Sequence, residues 1–193
     1  MRKNDFAMVI RKMTLAPILA FAMLLVIRFC RADIFQSKLQ FIYTILFLTI
    51  FPMLAYPLQK HMPKFRDQGR DGQRRLAMLF AFLGYLCECL VNAILPVSHE
   101  LRLIGWTYLL SGIILLAANL LFHIKLSGHA AGACAAVLLP VWFEIYWASV
   151  PAVIVLALVY FASIQMRRHT FLQLAGGTMI PILSIAIIYA LGG

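Results

Sequence analysis

Residues 103–123 read LIGWTYLLSGIILLAANLLFH, twenty-one positions without an Asp, Glu, Lys or Arg. A helix rising ~1.5 Å per residue needs roughly 20 such residues to cross a hydrocarbon layer ~30 Å thick. Working outward from this stretch, further apolar segments lie near 13–30, 38–58, 76–97, 128–144, 148–165 and 170–191. Segments 128–144 and 148–165 are the short ones, and Pro140 and Pro151 border their connection. Composition says the same: 63% of the 193 residues are hydrophobic and 12% charged, about half the ~25% charge of a soluble domain. This excludes a cytosolic enzyme, a disordered chain and a secreted disulfide scaffold. The expected fold is all-α, a polytopic transmembrane bundle of six to seven helices. No repeat or low-complexity tract divides it, so 1–193 reads as a single membrane domain, with 1–37 a flank and first helix and 38–193 the core. Cys30, Cys87, Cys89 and Cys134 sit in or beside apolar runs and read as buried free thiols.

The amino terminus is basic as far as Lys12, and an apolar stretch follows from Met13 to Ile27. No small-residue cleavage site closes it; Arg28 and Arg31 do, so it reads as a retained helix rather than a signal peptide. Seventeen Lys+Arg against seven Asp+Glu give +10. On a membrane protein such an excess points to topology signals, anionic headgroups or a phosphate-bearing ligand. Nucleic acid is not an expected partner, because no soluble basic domain would present the charge. If all seven segments cross, thirteen of the seventeen cations share one face: Arg2, Lys3, Arg11, Lys12, Lys60, Lys64, Arg66, Arg70, Arg74, Arg75, Lys125, Arg167 and Arg168. Only Arg28, Arg31, Lys38 and Arg102 fall opposite. Six of the thirteen come from the charged loop Gln59–Arg75.

Two polar clusters on the cation-rich face carry potential chemistry. The first is Lys125-Leu126-Ser127-Gly128-His129, directly before a helix rich in small residues. A helix start offers unpaired N–H groups and a positive dipole end to a phosphate. Ser127 adds a hydroxyl, Gly128 allows close backbone approach, and Lys125 supplies charge; the same residues also read as an ordinary helix cap. The second is Arg167-Arg168-His169-Thr170 with Gln173 following. His169 and Gln173 are four apart, on one helical face, so Gln173 can orient the imidazole. By itself this cluster also reads as a basic flank with an interfacial histidine. Glu88 and Asn92, deep in their segment, are possible functional residues by their position alone. No metal-ligand spacing appears: there is no H-x3-H or C-x-x-C pair.

These residues resemble the type 2 phosphatidic acid phosphatase (PAP2) superfamily of integral membrane phosphatases. Leu126-Ser127-Gly128-His129 is similar to the family's P-S-G-H motif, and His169 falls where its third-motif histidine stands. The string H-T-x-x-Q-x-x-A-G from His169 to Gly176 is familiar from a lipid-phosphatase-like branch, and Asp71-Gly72-Gln73-Arg74-Arg75 loosely resembles that branch's D-R-x-x-R. The resemblance spans roughly 60–180. It departs at Ser163, where the family has arginine, and at Gln173, where it has aspartate, and the K-x6-R-P motif is absent. What the resemblance implies is a PAP2-like core and a cofactor-free, metal-independent phosphatase. His169 would be the covalent nucleophile and His129 the general acid and base. Lys125, Arg167, Arg168, the Ser127–Gly128 backbone, Arg74 and Arg75 would hold the phosphoryl oxygens, with Asp71 nearby. The substrate would be a lipid phosphate or an isoprenoid (di)phosphate. The alternatives are a phosphotransferase with a lipid phosphate donor and a non-catalytic subunit or anionic-lipid binder. The remaining expected partners are the bilayer and, as an open option, a second copy of the chain. The positive-inside rule places the site on the cytoplasmic face of a prokaryotic plasma membrane. If 13–30 lay in the interface instead, six crossings would place it outside.

Overall fold

The computed structural model describes residues 3–191, with side chains from Asp5 onward; Arg2 and the Lys3 side chain, counted above, lie outside the described residues. The fold is all-α and multi-pass. Its helices are α1 (Lys3–Met13), α2 (Ala16–Cys30), α3 (Lys38–His61), α4 (Gly69–Ile94), α5 (His99–Leu121), α6 (Gly128–Trp142), α7 (Tyr146–Gln165) and α8 (Phe171–Ala190). Of these, α3, α4, α5, α7 and α8 are long and apolar enough to cross a membrane, and α1 with α2 forms a bent pair that together would make a sixth span. Large apolar side chains face outward all round, among them Phe29 at 84% and Leu172 at 79% exposure. That is the inverse of a soluble surface and fits lipid contact.

The amino-terminal expectation needs correcting. Segment 13–30 runs as a helix only from Ala16, as α2, and the basic flank before it is itself a helix, α1, which meets α2 at 52°. Pro17 sits in the first turn of α2, and Leu15 is extended with φ −57° and ψ 137°. A proline ring cannot follow a helical turn whose carbonyl it would strike, so the chain breaks before it. What remains, α2, has 15 residues, ~22 Å by helix rise and short of the layer. α6 is equally short, as expected, whereas α7 has 20 residues and is a full span. The charged loop is also shorter than expected, because α4 begins at Gly69 and carries Arg70–Arg75 on helix. Of the cysteines, Cys89 and Cys134 are buried but Cys30 is exposed.

α6 sits at the centre, packed against α2, α5, α7 and α8. Its Ala130, Ala131, Gly132, Ala133, Cys134 and Ala135 are all buried, and side chains this small let neighbouring backbones approach closely. The other close pairs are α3 with α4, α4 with α5, α5 with α8 and α1 with α7. One end of the bundle is closed by polar contacts. Ser98 Oγ donates to Ile34 O (2.8 Å), and Gln40 Nε2 donates to Pro96 O (2.9 Å). Arg31 pairs with Asp33 (2.8 Å) and reaches Phe143 O (3.4 Å). At the other end meet the starts of α2, α4, α6 and α8 and the ends of α3, α5 and α7. The cations are gathered there.

Candidate functional site

At that end a cavity of about 740 Å³ opens between α1, α2, α3, α4, α5 and α6 and the α7–α8 turn. His129 and His169 both line it, with Lys125, Gly128, Arg167, Arg168, Arg74, Arg70 and Asp71. Three sequence-distant clusters thus share one space. Along α4 the lining runs Arg70, Arg74, Ala77, Met78, Ala81, Tyr85, one helical face descending ~22 Å at ~1.5 Å per residue. The mouth is cationic, the wall below it apolar, and the deeper surface carries the hydroxyl-bearing Tyr85, Thr107, Tyr108 and Ser111.

The two histidines meet because two helix starts are fastened together. Ser127 caps α6, its Oγ accepting from Ala130 N (3.3 Å), while its own N–H donates to Gln173 O in the first turn of α8 (3.1 Å). A Cβ on Gly177 would collide with the Ser127 carbonyl oxygen and lie 3.1 Å from its nitrogen. Glycine there permits the backbone contact. Gly176 faces only the Leu126 side chain, with Cδ2 2.6 Å from its would-be Cβ.

Thr170 and Gln173 form a capping box at the start of α8. Gln173 Oε1 accepts from Thr170 N (3.2 Å) and lies 3.2 Å from His169 Nδ1. That oxygen is already oriented as an acceptor, so Nδ1 approaches it as the donor, and the free lone pair of His169 sits on Nε2. Burial pushes the His169 pKa down from the usual imidazole range, and the charges of Arg74, Arg11 and Lys125 add to this; the bond to Gln173 opposes them. At neutral pH the ring is uncharged, which a nucleophile requires. His129 Nε2 is buried without a hydrogen-bond partner. An orphan nitrogen inside a polar cavity is a group held ready for a ligand atom.

The predicted binding residues separate into three groups. Lys125, Arg167, Arg168 and Gly128 line the cavity; Ser127 and Gln173 act from behind it. Arg74 lines it but is committed, donating to Asn119 Oδ1 and to Leu126 O (2.9 Å). It is a strut for the segment that carries Lys125. Arg75 is corrected outright: it is exposed and absent from the lining, because the ~100° step of a helix turns it away from Arg74's face. Glu88 and Asn92 also stand apart, inside a network between α3 and α4. There Thr44 donates to Glu88 Oε1 (2.8 Å) and Tyr43 to Asn92 Oδ1 (2.7 Å). Ser163 is buried, with its carbonyl accepting from Arg168 N (2.9 Å).

Sequence reading missed Arg11. It lines the cavity, its Nη1 is buried without a partner, and its charge reaches both imidazoles. The signal for it is the amphipathic pattern of residues 3–13, beneath what otherwise reads as a basic flank.

Arg167 adopts φ 51° at the end of α7. Its N–H bonds Ile164 O (2.9 Å) and the Arg168 N–H bonds Ser163 O (2.9 Å), a left-handed cap that glycine fills more cheaply. Arg167→Gly should therefore raise thermal stability by up to about 1 kcal/mol while weakening binding of a phosphate-bearing ligand severalfold. Loss of both stability and binding, by melting and titration, would show the arginine to be structural.

Among the described residues no three His, Cys, Asp or Glu side chains converge as a metal site would require. Comparison with family models, curated proteins and solved structures returned no match.

Proposed function

We propose that this membrane protein removes phosphate from a lipid phosphate or isoprenoid (di)phosphate through a phosphohistidine, and that it is a divergent relative of the type 2 phosphatidic acid phosphatases. One observation carries the reading: two imidazoles, one with a fixed tautomer and one with an orphan nitrogen, share a cationic cavity whose walls turn apolar below the mouth. His169 Nε2 attacks the terminal phosphorus, forming the P–N bond as the P–O bond to the alcohol of a monophosphate, or to the inner phosphate of a diphosphate, breaks. His129, buried and therefore neutral before substrate binds, takes up a proton together with the bound phosphate dianion and delivers it to the leaving oxygen. Neutral again, it takes a proton from water, whose oxygen displaces His169 and releases inorganic phosphate. Lys125, Arg167, Arg168 and the first-turn amides of α6 hold the phosphoryl oxygens where charge accumulates. A tail lies along the apolar wall of α4.

The test is phosphate release by purified protein from a series of lipid monophosphates and prenyl diphosphates. Release identifies a phosphatase, transfer to an added alcohol a phosphotransferase, and binding without turnover of any substrate would overturn the catalytic reading in favour of an anionic-lipid binder.

We further propose that the cavity faces the cytoplasm of a prokaryotic plasma membrane, as the cation distribution supports. With single cysteines in a cysteine-free background, an impermeant maleimide should label position 102 and not 66 in intact cells. The reverse pattern would place the cavity outside.

A further inference from the structure

We infer that Arg11, carried into the cavity by α1, is a phosphate-binding residue, and that phosphate occupancy and docking of α1 are coupled; this rests on the phosphate-site reading above. The three faces of α1 do different things. Ala7 and Ile10 pack on Ala162, Leu158 and Met166 of the α7 end. Phe6, Val9 and Met13 point outward, 48%, 52% and 64% exposed, an apolar stripe suited to the membrane interface. Met8, Arg11 and Lys12 face the cavity.

Arg11 is held there under unfavourable conditions. Its guanidinium is partly desolvated, and the groups bearing on it are the cations Arg70 and Arg74 of α4 and the Tyr56 hydroxyl of α3. Its Nη1 is buried with no hydrogen-bond partner. A charged donor left without an acceptor among like charges is costly, and an anion removes the cost. The planar fork of a guanidinium matches two oxygens of a phosphate at once. Position also favours the role, because α1 seats on Ala162 and Met166 at the end of α7, beside the turn whose Arg167, Arg168 and His169 line the same cavity.

A dianion that pairs with Arg11 holds α1 down, since the ligand binds the docked arrangement better. The test uses the full-length chain in detergent at constant ionic strength. It measures affinity for orthophosphate and for dodecyl phosphate, and the rate of trypsin cleavage within α1. Arg11→Ala should weaken both ligands tenfold or more. Arg11→Lys, which keeps charge but not the fork and leaves α1 packing alone, should weaken both by a smaller factor. Lys64→Ala, an exposed cation outside the cavity, serves as control and should change neither. Phosphate should slow trypsin cleavage of the wild type and not of Arg11→Ala. Equal losses for the two ligands place the shared phosphate at Arg11; loss for dodecyl phosphate alone contradicts the assignment. Wild-type affinity in both Arg11 variants would overturn this inference while leaving the phosphate site standing. Failure of the wild type to bind either ligand would instead bring down the phosphate-site reading itself.

Discussion

His169→Ala is expected to abolish phosphate release, lowering turnover by at least roughly three orders of magnitude, and to eliminate any acid-labile phospho-protein. In the proposed scheme the nucleophile has no substitute, since among the described residues the only other imidazole lining the cavity, His129, serves a different step. His129→Ala should cost roughly 10²–10⁴-fold, most severely for alkyl esters, whose leaving oxygen needs a proton. With a nitrophenyl ester, which departs without one, the same variant should accumulate phosphohistidine, because dephosphorylation still lacks its base. Quench-flow with radiolabelled phosphate separates the two roles. Unchanged turnover in His169→Ala, or an equal slowing of the phosphorylation step for both esters in His129→Ala, would contradict the assignment.

Gly177→Ala should be strongly damaging although it lies outside the cavity. The added methyl meets the Ser127 backbone, which cannot rotate away as a side chain can. Either α8 or the start of α6 must move, at about 1–3 kcal/mol for overpacking. Because Ser127 and Gln173 share a backbone hydrogen bond, this movement separates His129 from His169, and turnover should fall more than tenfold even where the protein remains folded. Gly176→Ala meets only the flexible Leu126 side chain and should be mild in both respects. Equal effects of the two alanines on melting and turnover would show that the helix-start contact does not set the site.

The lipid-facing bundle was legible because its cause is local. A run such as 103–123 must form a helix wherever it meets a bilayer, since its backbone polar groups have no other partner there. The cation-rich end was legible for a similar reason, as alternation of spans sorts loops between two ends without any knowledge of packing. The pairing of His129 with His169 needed a further step, because both stand at helix starts on that end, but only packing of α8 on α6 makes them neighbours.

What the chain alone does not specify follows from longer-range physics. Arg75 and Arg74 are adjacent in sequence and equal in charge, and only the facing of α4 against α5 admits one and excludes the other. Glu88 has the depth of a functional carboxylate, yet it stands away from the cavity, its Oε1 accepting from Thr44 of α3 and from Asn92. Arg11 lies in α1, a helix whose sequence reads as the basic flank of the next segment. Sequence by itself determined the long apolar helices and the end that collects positive charge, both consequences of local solvation. Tertiary structure alone decided which of those charges face the histidines, because that depends on helix rotation and on close contacts, such as Gly177 against Ser127, between residues about fifty positions apart.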